Sequence, residues 1–129
     1  MEVDEVVYPP RDGYPLYLTA KRYWTPGLLD ADDNEDAWTL ILLHATSSHK
    51  ESWEPTLQKI FELATKQGKK KNRNGKNAVK IREAWCLDCP NHGASGRLNE
   101  RVLQQDEWYL NCELLISSWH KIRAKTQPN

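Results

Sequence analysis

The sequence predicts an α/β protein: a partial three-layer sandwich whose mostly parallel sheet is flanked by helices. Three observations lead there. Trp38–Leu43 is a continuous apolar run broken only by Thr39, too short for an independent helix and suited to a strand buried on both faces. Trp53, Leu57, Ile60, Phe61 and Ala64 then fall at i, i+4, i+7, i+8 and i+11, one face of a helix. A second strand pattern at 81–88 is followed by Trp108, Cys112, Leu115, Ile116 and Trp119 at the same helical spacing. Strands alternating with helices of this length build parallel sheets.

Each element has local support. Residues 16–24 carry Leu16, Tyr17, Leu18, Thr19, Tyr23 and Trp24 and read as a strand, ended by Pro26-Gly27. In the first helix, Ser52 suits the N-cap, Pro55 falls in the first turn where its missing N–H costs little, and Gly68 suits the stop. Ile81, Ala84, Trp85, Cys86 and Leu87 give the next strand its apolar content, and Pro90 with the turn Asn91-His92-Gly93 ends it. The final helix is expected over 106 to about 123. Between these elements lie an acidic loop at 29–37, with Asp30, Asp32, Asp33, Glu35 and Asp36, and a basic loop at 66–78, with Lys66, Lys69, Lys70, Lys71, Arg73 and Lys76. Both are expected to be solvated connections. No internal repeat and no compositional boundary divides residues 1–129, which read as one domain.

Composition narrows the functional classes. Eighteen Lys and Arg balance eighteen Asp and Glu, so no overall basicity favours nucleic acid or an anionic membrane. The basic loop also lacks interleaved aromatics that could stack on bases. Six Trp and five Tyr argue against wholesale disorder. No apolar run approaches the ~18 residues of a membrane-spanning helix. Residues 1–10 are acidic where a secretory signal is basic and then apolar. Three Cys is an odd count, and without a secretory signal a disulfide framework is not expected. The C-terminal Gln127-Pro128-Asn129 matches no targeting tripeptide. The expected location is the cytoplasm, with no membrane or nucleic-acid partner.

Two stretches carry the chemistry. The apolar strand runs into His44-Ala45-Thr46 and then Lys50-Glu51-Ser52-Trp53-Glu54-Pro55; the second strand runs into Asp88-Cys89-Pro90-Asn91-His92-Gly93. In open α/β sheets ligands bind beyond the carboxyl ends of strands, and free backbone N–H groups in such loops can hold a developing oxyanion. The plain alternative is an ordinary strand-to-helix loop whose serines only cap the helix. Together the two stretches resemble the N-terminal half of the α/β-hydrolase superfamily. More narrowly they are similar to a fungal group in which a His-Gly-Thr-like loop precedes Lys-Glu-Ser/Thr-Trp-Glu-Pro and a later strand ends in Asp-x-Pro-Asn-His-Gly. The resemblance spans roughly residues 16–119.

The resemblance implies acyl transfer to water by a serine-type triad on a small ester-like substrate, without a cofactor or metal. By match, Thr46 supplies an oxyanion N–H, His44 and Ala45 shape its loop, and Asp88, Asn91, His92 and Gly93 line the site. Ala45 departs from the usual Gly and would be strained at positive φ. A larger departure is that the 129 residues contain no Gly-x-Ser-x-Gly elbow and no acid and His after one. The nearest string, Gly93-Ala94-Ser95-Gly96, is one residue short and follows the wrong strand. The expectation is therefore a chain truncated before its nucleophile and catalytically incomplete, with no catalytic residue of its own. The family's sheet order for its first strands is one, two, four, three, with a fifth beside the third. Without the fifth, Trp38–Leu43 is an edge, and the chain is expected to be poorly soluble, molten or partner-dependent, with self-association through strand 38–43.

Two other readings come from different classes. One is a non-catalytic interaction module that pairs through its open sheet edge. The other is a thiol-redox protein using Cys86 and Cys89, although the first Cys lies inside a strand pattern and not at a helix N-terminus. Cys86, Cys89, His92 and Cys112 give one Cys-x₂-Cys spacing without a paired second half, so no metal site is expected. His49 beside a helix cap and His120 near a helix end draw no functional assignment.

Overall fold

The chain was analysed as a computed structural model, which describes residues 1–28, 37–67 and 80–105. Nearly all of the acidic loop and of the basic loop, Gly68 and the expected helix at 106–123, with His120 and Cys112, lie outside the described residues. Four strands and two helices are described: β1 (Glu2–Tyr8), β2 (Leu18–Trp24), β3 (Trp38–Leu43), α1 (Glu54–Gln67), β4 (Ile81–Leu87) and α2 (Gly93–Gln105), with a 3-10 turn at Lys50–Trp53 leading into α1. The four strands form one sheet in the order β1-β2-β4-β3. The class is α/β, as the alternation of patterns implies. Within it the sheet is mixed: β3 and β4 are parallel, while β1 with β2 and β2 with β4 are antiparallel.

One face of the sheet is built around α1. Tyr23, Leu57, Phe61, Ala84 and Cys86 form its buried cluster, with Leu40, Leu42, Trp53, Ile60 and Ile81 packed against it. The helical stripe read from the sequence is thus the packed face. Leu57 and Phe61 are at most 2% exposed; burying one such side chain stabilises by about 1.5–3 kcal/mol. Pro55 sits in the first turn of α1. Helical winding begins earlier than Ser52, however, as the 3-10 turn. There the Ser52 hydroxyl donates back to the His49 carbonyl at 2.7 Å and also meets the Ser48 hydroxyl. The Trp53 indole N–H donates to the Leu43 carbonyl at 3.1 Å, pinning the turn to the end of β3. On the other face, Ala20 and Leu87 are buried beneath Tyr8, Leu43 and Trp85, and the Arg22 guanidinium pairs with Glu83 at 2.7 Å between the Trp24 and Trp85 rings.

Three elements differ from the sequence expectation. β1 was not expected; its seven residues pair fully with β2, from Glu2 opposite Trp24 to Tyr8 opposite Leu18. β3 was expected to be buried on both faces, yet none of its residues is fully buried, and Trp38 and Ile41 are 66% and 44% exposed. The reason is position: among the described strands β3 has a neighbour on one side only. α2, which begins at Gly93 directly after the turn, was not expected.

Candidate functional site at the carboxyl ends of β3 and β4

Because β3 and β4 are parallel neighbours with Leu43 opposite Leu87, the loops that follow them leave the sheet side by side. Residues 44–49 and 88–92 meet there. Each sequence-predicted residue has a definite place in this junction.

Asp88, expected to line the site, is fully buried. Its Oδ1 accepts the Lys50 backbone N–H at 2.8 Å. Its Oδ2 accepts the Lys50 ammonium at 2.8 Å, the Ala94 N–H at 3.0 Å and the Thr19 hydroxyl at 3.1 Å. A buried carboxylate needs such partners. Burial pushes this carboxyl up, but the Lys50 ammonium, the Lys50 N–H and the Ala94 N–H outweigh it and hold it below 3.8. Lys50 is itself 1% exposed and also reaches Glu51 at 3.0 Å and Glu5 at 3.6 Å. Burial lowers its pKa and the Asp88 and Glu51 carboxylates raise it, with a net rise.

Gly93 explains part of the Asp-x-Pro-Asn-His-Gly string. Its φ is +53°, and a Cβ there would stand 2.6 Å from the Asp88 carboxyl carbon. Only glycine fits both constraints. Ser95 is fully buried; its hydroxyl accepts the Thr19 N–H at 2.8 Å, contacts the Thr19 hydroxyl at 3.0 Å and reaches the Asp88 carbonyl at 3.3 Å. It is a structural hydroxyl with no access for substrate.

His44 and His92 lie together, ring centroids 5.0 Å apart. The His44 Nε2 accepts the Cys89 N–H at 3.0 Å and its Nδ1 donates to the Ala45 carbonyl at 2.8 Å. The His92 Nε2 accepts the Ser47 N–H at 3.2 Å and its Nδ1 donates to the Asn91 side-chain oxygen at 2.6 Å. Ala45 avoids the strain that a positive φ would bring, because the left-handed position of this loop is Ser47, at φ 63°. Ser48 N–H turns inward to the Ala45 carbonyl at 3.1 Å. Thr46 is exposed, and its N–H has no acceptor among the described residues.

Cys86 points into the α1 core, fully buried, and burial pushes its thiol up to about 12. A thiol so placed is a packing group, not a nucleophile. Among the described residues no group of three or more His, Cys, Asp or Glu is placed to hold a metal. No described helix is long and apolar enough to cross a membrane.

Sequence reasoning missed three structural residues. Thr19 and Lys50 complete the Asp88 cage. Asn99, 1% exposed, accepts the Tyr17 N–H at 2.7 Å and donates to the carbonyls of Tyr17 and Pro90 at 2.8 and 2.9 Å. No local pattern marks these roles; Lys50 was quoted within a motif, without a partner to give it meaning.

No family model matches the chain, and no curated protein matches it. Among solved structures it is similar to a peroxisomal alpha-beta-hydrolase, Lpx1, from Saccharomyces cerevisiae, at 22% identity and a TM-score of 0.42. The likeness covers 76% of this chain and 26% of that one, so the chain spans well under two thirds of that protein's length. A likeness at this level fixes neither family nor activity.

Proposed function

We propose that this chain supplies the oxyanion-loop side of a serine-type α/β-hydrolase site, with a small ester-like substrate, and that these 129 residues alone carry out no triad-dependent turnover. The observation that carries the reading is the Thr46 N–H. It lies unpaired among the described residues, in a loop at the carboxyl end of β3 whose neighbouring amides at Ser47, Ser48 and Lys50 are all bonded within the junction. An exposed amide left free in such a loop is what stabilisation of a developing oxyanion requires. The strand order β1-β2-β4-β3 agrees with the order the motif resemblance implies. The complementary parts, a nucleophilic Ser on its elbow with an acid and a His, are not in the sequence. The reading needs no cofactor, and a cytoplasmic location belongs to it.

Two measurements test it. The purified chain is expected to show no ester hydrolysis sensitive to a serine-directed phosphonate; robust turnover abolished by that reagent and by Thr46→Pro would overturn the claim of incompleteness. Titration with a small alkylphosphonate, followed by amide chemical shifts, is expected to move Thr46 most. A response confined to exposed lysines would remove the oxyanion role.

The exposed edge favours a second reading, a non-catalytic module that pairs through β3. Trp38 and Ile41 are its exposed apolar residues. A defined oligomer in size-exclusion chromatography, with no phosphonate binding at Thr46, would favour the module over the hydrolase part.

A further inference from the structure

The junction of the two loops contains a reciprocal arrangement that the hydrolase reading does not use. His44 belongs to the β3 loop and accepts an N–H from the β4 loop, that of Cys89; His92 belongs to the β4 loop and accepts an N–H from the β3 loop, that of Ser47. Each ring thus holds the other loop through Nε2. In each ring Nδ1 is the donor, to Ala45 O and to Asn91 Oδ1 respectively. This pattern of bonds requires the neutral Nδ1–H form of both imidazoles, since a lone pair must remain on Nε2 to accept.

We propose that His44 and His92 form a proton-operated latch that ties the 44–49 loop to the 88–92 loop when neutral and releases it when they are protonated. The chemistry is direct. A proton added to either ring goes to Nε2, the atom that accepts the cross-loop bond. Acceptor becomes donor, and a backbone N–H then faces a ring N–H. With both rings protonated, two cations also stand with centroids 5.0 Å apart. Histidine is the side chain whose ordinary titration spans physiological pH.

The surroundings of the two rings differ. Facing His44, whose side chain is 1% exposed, is the Asp88 carboxylate, with Oδ1 4.0 Å from Nε2. The Lys50 ammonium on the 3-10 turn already holds the other oxygen of that carboxylate, and Glu51 and Glu5 hold Lys50 in turn. The Cys89 thiol lies on the loop itself. Protonated His44 therefore exchanges its bond from Cys89 for an ion pair with Asp88. Among the described residues the titratable group facing His92 is His44; its remaining partners, Asn91 and Ser47, are neutral. Release at His92 leaves Ser47, the residue at positive φ, without its anchor. The Thr46 turn loosens as a result. The latch does not depend on hydrolase function: it is a property of the two loops whatever they bind.

Amide hydrogen exchange with imidazole ¹⁵N shifts, on the full chain from about pH 7.5 to about pH 5, tests the latch across the histidine range. Protection factors corrected for intrinsic exchange are expected to fall together at Ser47 and Cys89, by about tenfold or more, as the two imidazoles protonate. The Lys50 amide, bonded to Asp88, is expected to keep its protection throughout. His92→Gln places a non-titrating acceptor near Ser47. In that variant the Ser47 amide is expected to lose its pH dependence while Cys89 keeps its own, with Lys50 protection reporting an intact fold. The proposal fails if Ser47 and Cys89 stay protected while the rings protonate. It fails equally if the rings stay neutral to about pH 5, or if the Ser47 response survives His92→Gln.

Discussion

Asp88, Lys50 and Gly93 form the smallest unit that holds the site. A buried ion pair is not a strong source of stability, because both charges have left water. Breaking it is another matter. Lys50→Met leaves Asp88 buried with no cation, and the expected loss is about 3–5 kcal/mol at neutral pH by denaturant unfolding. The pH dependence supplies a check of sign. In the wild type the Asp88 carboxyl is held below 3.8, so its contribution is complete above the unfolded carboxylate range and is lost as pH falls through the depressed value. Glu51 behaves likewise: burial raises it, but Lys50, His49 and Lys21 bring it down to about 2, so its share is lost between 4.5 and about 2. In Lys50→Met the Asp88 carboxyl instead rises, and the variant gains stability as pH falls through that raised value. The stability gap between the two proteins is thus expected to be widest near neutrality and to narrow in acid. Gly93→Ala tests the same unit sterically. With φ at +53° and the Asp88 carboxyl carbon 2.6 Å from the new Cβ, a loss above about 2 kcal/mol is expected in thermal or chemical melts.

At the scale of elements, α2 is held to the sheet by polar contacts more than by an apolar stripe. Asn99 bonds both backbone groups of Tyr17, just before β2, and the Pro90 carbonyl; Ser95 takes the Thr19 N–H. Asn99 stands in for a strand neighbour, satisfying backbone groups that would otherwise be stranded away from water. Asn99→Leu removes three bonds and leaves those groups unpaired; a loss of about 2–4 kcal/mol is expected, with increased amide exchange at Tyr17. Asn99→Ser, too short to span both sites, is expected to recover little. This polar docking explains why the helix was not read from sequence. Gly93 and Gly96 lower its intrinsic helix propensity, and its buried positions are Ser95 and Asn99, which carry no hydrophobic period. α1 is the opposite case: its stripe is apolar and was legible.

For the whole molecule, the two edges of the sheet formed by the described strands contrast. β1 carries Glu2, Asp4 and Glu5, charges that resist edge-to-edge pairing. β3, WTLILL, carries none, and it exposes Trp38 and Ile41. We propose that association, where it occurs, runs through β3. Ile41→Lys puts a charge on that edge at a position 44% exposed; it is expected to shift size-exclusion profiles toward monomer, with stability unchanged within about 0.5 kcal/mol. The same change on β1, Val3→Lys, is expected to leave the profile as it is. Equal effects from the two would place the association elsewhere.

Sequence alone was enough for the α/β class, for strands read at 16–24, 38–43 and 81–88 and found at 18–24, 38–43 and 81–87, and for the packed face of α1. These are short-range properties: an apolar run and a helical period are each written within a dozen residues. Only the tertiary structure decided which residues of the 44–49 and 88–92 loops face outward and which are internal braces. Asp88 looked like a lining residue and is a buried counter-ion; Ser95 looked like a fragment of a nucleophile motif and is a structural hydroxyl. β1 stayed hidden because its charged residues gain a strand's hydrogen bonds only from β2. The cross-loop histidine bonds join positions 45 residues apart in the chain, and no local pattern records a partner that distant. What a polar residue does depends on what the fold brings to meet it, since its free energy is set by the donors and acceptors that replace water.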